Sequence, residues 1–273
     1  MDSTTPAVAA STSSDVPKIT LYWLEQSRSH RILWLLEELN VPYELKIFHR
    51  RADNMLAPPE LKKVHALGKS PVLTVEAAGA DKPIVLAESG LITEYLLEHY
   101  GRDTPLLPTQ WKEGQEGKVA GETEAYLRYK YYMHYAEGSL MSLMLIVFMM
   151  LGMKTNSPFF LKPLVNSIVS RIYSLYITPN LNTHFSFLEE QLKTAPVTTT
   201  TTTTGPYLCG DHLTGADILM SFPLMACRGR AEMLRPANFP ILYAYIDRLE
   251  QEAGYKKAVA KIVSLEGKFS SLL

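Results

Sequence analysis

The chain has 273 residues, enough for one large domain or two modest ones, and its 47% hydrophobic and 20% charged residues describe an ordinary soluble globular protein. A net charge of −1, with no basic stripe, excludes a protein that lives on nucleic-acid phosphates. Two cysteines, Cys209 and Cys227, cannot build a disulfide framework, so a reducing, cytoplasmic setting is expected.

Residues 1–16 are Ser, Thr, Ala and Pro without the basic start and apolar block of a secretory signal, and read as a disordered tail. Lys18 to Trp23 is a β-branched and aromatic run, a strand by pattern. After the polar loop Glu25 to Ser29, Ile32, Leu35, Leu36 and Leu39 recur at helical spacing, ending near Asn40 and stopped by Pro42. Tyr43 to Phe48 alternates as a second strand, and Pro58-Pro59 opens a short helical turn. Pro71 to Val75 and Ile84 to Leu86 are further strands, and Glu88-Ser89 starts a helix carrying Ile92, Tyr95, Leu96 and His99 on one face. Strand, helix, strand, loop, strand, strand, helix is a thioredoxin-like order over 17–101.

A linker at 102–109 leads into 110–273, where no strand is evident and an all-α bundle is expected. Trp111 to Met153 and Leu164 to Lys193 read as two long helices, with others from Thr214, Pro240 and Gly254. A threonine tract makes 196–206 a mobile surface loop. The apolar run Leu140 to Met153 falls short of the ~20 residues of a membrane span and reads as a helix buried on most sides, with peripheral membrane contact left open. The tyrosines from Tyr126 to Tyr135 suit a subunit interface, an acceptor-pocket wall or routine packing; Met141, Met144, Met149, Met150 and Met153 suit an adaptable apolar surface or core filling.

Three short segments in the first hundred residues carry chemistry. Ser27 and Ser29 flank a helix start, where unpaired N–H groups favour an anion and a hydroxyl can donate to a thiolate; capping that helix is the other use of a serine there. Lowering a thiol pKa of ~8.5 by one unit takes ~1.4 kcal/mol, within reach of one charge-assisted hydrogen bond. Gly68-Lys69-Ser70-Pro71-Val72 opens a strand with a proline; if that bond is cis, an extended peptide can pair with Val72. Glu88-Ser89 caps a helix, and the same atoms can hold an amino-acid end of a ligand.

Together, Ser27-Arg28-Ser29-His30-Arg31, Gly68-Lys69-Ser70-Pro71-Val72, Leu86-Ala87-Glu88-Ser89-Gly90 and the later Leu208-Cys209-Gly210-Asp211-His212-Leu213-Thr214-Gly215-Ala216-Asp217 resemble the glutathione S-transferase family, most like a fungal, theta-related group, over roughly 17–270. The resemblance implies a thioredoxin-like domain followed by an all-α domain. Its activity would be conjugation of glutathione, as co-substrate, to small hydrophobic electrophiles, with hydroperoxide reduction alongside.

Position by position, the resemblance implies Ser27 as the thiolate-stabilising hydroxyl, with Ser29 and Tyr22 in reserve. Arg31, Lys69, Ser70, Pro71, Val72, Glu88 and Ser89 would bind glutathione, with Lys69 at its glycyl carboxylate and Glu88 and Ser89 at its γ-glutamyl end. Thr214 and Asp217 would form a capping box. A homodimer is implied, with association at the endoplasmic reticulum surface left open. His65-Ala66 departs from the family's usual Asn-Pro, and no cysteine lies between Trp23 and Arg31 to form a mixed disulfide. No metal is expected, because the seven histidines show no ligand spacing. A non-catalytic glutathione-binding regulator and a transferase dedicated to one metabolite are the alternatives.

Overall fold

The β-branched opening run folds as β1 (Lys18–Leu24), which the computed structural model, describing residues 16–197, 206–230 and 233–270, places inside a four-stranded sheet. β2 (Glu44–Phe48) lies parallel to β1 on one side, and β3 (Val72–Glu76) and β4 (Ile84–Ala87) follow antiparallel on the other, giving the order β2-β1-β3-β4. α1 (Ser29–Glu38) and α2 (Ser89–Tyr100) complete a thioredoxin-like unit, with a 3₁₀ turn at Pro59–Lys63 and a cis Ser70–Pro71 bond.

The rest is helical, as the patterning predicts, with one correction. The first long helix starts at α3 (Glu124–Tyr135), not at Trp111. Between them Gly114 and Gly117 adopt left-handed φ values of 69° and 71°, Lys112 N–H bonds back to Gly121 C=O, and Trp111 pairs with Glu122. That is a folded-back loop whose glycines break helical φ, and the Thr123 hydroxyl then accepts from Tyr126 N–H to open the helix.

α3 runs through a π-turn (Ala136–Met141) into α4 (Ser142–Asn156); α5 (Lys162–Ile172) runs through another (Tyr173–Ile177) into α6 (Thr178–Lys193). α7 (Gly215–Arg228), α8 (Pro240–Gln251) and α9 (Ala253–Glu266) follow. The tail read at 1–16 lies outside the described residues except Val16, as does most of the threonine-rich loop read at 196–206.

The capping box at α7 forms. Fully buried Asp217 accepts from Thr214 N–H (2.9 Å) and hydroxyl (2.6 Å), Leu208 N–H (3.1 Å) and Tyr245 hydroxyl (2.7 Å). One core joins both halves, because α1 packs on α7 and α9 as well as on the sheet. At the α9 contact Gly254 N–H donates to Glu38 Oε2 at 2.9 Å, and a Cβ on Gly254 would sit 2.0 Å from that oxygen. A larger residue there would have to displace the Glu38 carboxylate that this contact uses.

Candidate active site

The site begins where β1 ends. Gln26 turns the chain with φ of 48°, and Arg50 holds the turn, donating to the Glu25 and Gln26 carbonyls at 3.3 and 3.0 Å while its own N–H meets Glu25 Oε1 at 2.7 Å. Both serines then point inward. Ser29, fully buried, accepts from Leu24 N–H and donates to Leu24 C=O, each at 3.0 Å. Ser27, 8% exposed, donates to the same carbonyl at 2.8 Å, lies 2.7 Å from the Ser29 oxygen and accepts from Ser29 N–H at 3.2 Å. The Arg28 N–H, at the head of α1, takes no backbone partner among the described residues.

Ser29 ties the loop to the end of β1 through its two bonds to Leu24. Leu24 C=O thus accepts from both hydroxyls, and either serine can donate across the contact between them. The third hydroxyl named with them belongs to Tyr22 on β1. Its ring lies against Phe48 (6.3 Å between centroids) and beneath the Lys46 ammonium, on the face of β1 opposite Trp23, while Trp23 faces α9 and Phe269 near the α1 start.

Arg31 lies inside the protein. It is 1% exposed and faces the helical half, donating to Leu219 C=O at 2.6 Å, to Ser89 hydroxyl at 2.9 Å and to Glu137 at 2.5 Å, with its guanidinium over the Phe222 ring. Burial lowers its pKa, and the Glu137 carboxylate opposes that. Three of its N–H groups are engaged inside the protein and its buried Nε–H has no partner among the described residues, so it positions Ser89 from beneath. Glu137, on the π-turn, also pairs with Arg28 at 2.9 Å. Sequence reasoning missed Glu137 and Arg50; the signal for Glu137 was a lone carboxylate entering an apolar run, which requires a cationic partner when half-buried.

The remaining segments converge. The Ser70 hydroxyl donates to Tyr22 C=O at 2.9 Å, tying the cis-proline loop to β1. Val72 is corrected as a docking edge: it pairs with Tyr22 on one side and Ala87 on the other, so its backbone is taken. Unpaired backbone lies two residues earlier, at Ser70, whose N–H and C=O make no backbone hydrogen bond among the described residues. Exposed Lys69 has no ion-pair partner there either. Exposed Glu88 holds φ at 73°, a left-handed conformation costly for a residue with a Cβ, immediately before buried Ser89 at the head of α2. Strain of this kind persists where surrounding structure fixes it.

Beside the loop a crevice of about 110 Å³ lies between Gln26 and the segment after α9; a larger cleft of about 530 Å³, between α2, the linker and α3, shares none of its lining residues. Cys209 and Cys227 are buried, and burial raises both thiols, Cys227 to about 12, so neither supplies a thiolate. No cluster of three His, Cys, Asp or Glu fit for a metal occurs among the described residues.

Comparison with known proteins gives consistent matches. Family models match at 27–99 (glutathione S-transferase, N-terminal domain) and 148–253 (glutathione S-transferase, C-terminal domain). Glutathione S-transferase 1 of Saccharomyces cerevisiae is 32% identical over 93% of this chain and 99% of its own length. Glutathione S-transferase 3 of Schizosaccharomyces pombe is 31% identical over 77% of this chain and 74% of its own. A solved glutathione S-transferase from Actinobacillus pleuropneumoniae is 31% identical with a TM-score of 0.61, covering 89% of this chain and 92% of that one. A glutathione transferase from Phanerochaete chrysosporium, solved with oxidized glutathione, is similar in fold at 18% identity and a TM-score of 0.61, over 93% and 98% of the two chains.

Proposed function

Because the chain belongs to the glutathione S-transferase family and is a glutathione transferase, we propose that it joins glutathione to small hydrophobic electrophiles, with Ser27 donating to the thiolate. One observation carries the Ser27 role: two hydroxyls converge on Leu24 C=O, so one of the two protons is redundant. When a thiolate arrives at the head of α1, Ser27 turns its proton to the sulfur and Ser29 keeps the carbonyl. The helix terminus and the unpaired Arg28 N–H add to the anion's stabilisation.

The rest of the tripeptide follows the geometry. Its γ-glutamyl carboxylate meets the head of α2 at Ser89, Glu88 takes the ammonium, the cysteinyl backbone pairs at Ser70 beside Pro71, and Lys69 reaches the glycyl carboxylate. Hydroperoxide reduction uses the same thiolate. A homodimer is part of the reading, supported by the apolar side chains that β4 and α2 leave exposed, Ile84, Val85 and Leu91.

In Ser27→Ala the pKa of bound glutathione, followed by thiolate absorbance, rises by about one unit or more, and turnover at neutral pH falls about tenfold, with glutathione affinity little changed. An unchanged thiolate pKa would move the role to the α1 N–H groups and remove Ser27 from the chemistry.

A further inference from the structure

The helix predicted to be buried on most sides leaves one apolar stripe uncovered. Leu143, Met144, Val147 and Met150 of α4 enter the core, while Leu145, Met149 and Met153, four residues apart, stand exposed. α5 buries Val169 alone of its eleven residues, and Leu161, Leu164, Ile168 and Leu175 recur along its exposed surface. At the turn between the helices Phe159 and Phe160 are 83% and 67% exposed. α3, the π-turn and α4 form one continuous helix, Glu124–Asn156, whose most apolar window has a mean hydropathy of 1.8 and is only 39% buried.

Charge along this hairpin has one sign. Between Glu137 and Glu189 the sequence holds no Asp or Glu, and its cations are Lys154 and Lys162, flanking the Phe pair, and Arg171. We propose that the α4–α5 hairpin is a docking surface for a phospholipid membrane carrying anionic headgroups. Exposed aromatic and aliphatic side chains enter the headgroup boundary while the flanking lysines meet lipid phosphate and carboxylate. A second copy of the chain is the poorer occupant, since two such faces would bring cation against cation. The turn lies about 28 Å along the helix from Glu137, so docking leaves the α1 loop outside the lipid. This goes beyond the conjugation reading and does not rest on it.

Flotation of the full chain with vesicles of phosphatidylcholine, with and without phosphatidylserine, tests it. The protein floats with the anionic vesicles and is released by high salt. Phe159→Ser with Phe160→Ser abolishes flotation, and Lys154→Gln with Lys162→Gln weakens it roughly 20-fold at low salt, while both variants keep the parent's melting temperature and activity towards a soluble electrophile. Absence of flotation with either vesicle overturns the proposal, as does equal flotation of the Ser variant. Salt-insensitive binding to pure phosphatidylcholine overturns its anionic part. A Ser variant that changes oligomeric state in place of flotation assigns the face to a second copy.

Discussion

α1 and α5 are helices of ten and eleven residues with the same amphipathic strength in their sequences, and their burial is opposite: eight residues of α1 are buried against one of α5. The difference lies in what surrounds them. α1 is enclosed by the sheet, α2, α7 and α9, and most of its buried and half-buried polar residues find partners there, Ser29 at Leu24, Arg31 at Glu137 and Leu219, Glu38 at Gly254, with His30 the exception. α5 rests chiefly on α4 at the edge of the bundle. Helical periodicity therefore reports which side of a helix is apolar, and it leaves open whether protein or something else covers that side.

The largest effect should come from the enclosed helix. Arg31→Ala removes the cation from a buried pair and strips hydrogen bonds from Leu219 and Ser89, while Glu137 keeps only Arg28. A loss of about 3–5 kcal/mol in denaturant unfolding is expected. Adding Glu137→Gln should cost less than the sum of the two single changes, because the orphaned charge goes with it. A loss below about 1 kcal/mol would mean that the two halves of the chain do not depend on this contact.

The same contrast explains how much was legible in the sequence. The strands and most helices were, because period-two and helical spacings are local: β1 and β2 differ from the reading by one residue at an end. Trp111 to Thr123 was not, since Gly114 and Gly117 act through φ values that composition does not display. The serines, Lys69, Ser70 and the Glu88-Ser89 pair stand out in the sequence as a candidate set. Their roles do not, because sheet register decides that Val72 is occupied and Ser70 is not, and because Arg31 is turned inward by Glu137, more than a hundred residues away.

A second test of the enclosed region uses acid. His30 on α1 is buried between the rings of Tyr255 and Phe269, with neither ring nitrogen hydrogen-bonded among the described residues, and burial lowers its pKa to about 3. The folded state therefore binds fewer protons than the unfolded chain, whose histidine titrates near 6.5. Stability is intact above pH 6.5 and falls below it, by roughly 3 kcal/mol by pH 4.5, until the folded pKa is reached. His30→Phe should remove that part of the acid loss in unfolding curves at pH 7 and 4.5. An identical acid slope in the variant would show that His30 is solvated in the folded protein.

The smallest effect belongs to α5, and it is informative because it is small. Leu164, 59% exposed, contributes little apolar area to the folded chain. Leu164→Ala should change unfolding free energy by no more than about 0.5 kcal/mol, whereas Leu36→Ala on α1, at 0% exposure, should cost about 2–5 kcal/mol. If Leu164→Ala proves as damaging as Leu36→Ala in vesicle-free buffer, protein already covers the α5 stripe, through a second copy or a different packing of the hairpin, and the contrast between the two helices disappears. If it is silent in buffer but weakens vesicle binding, the α5 stripe acts in docking and adds nothing to folding.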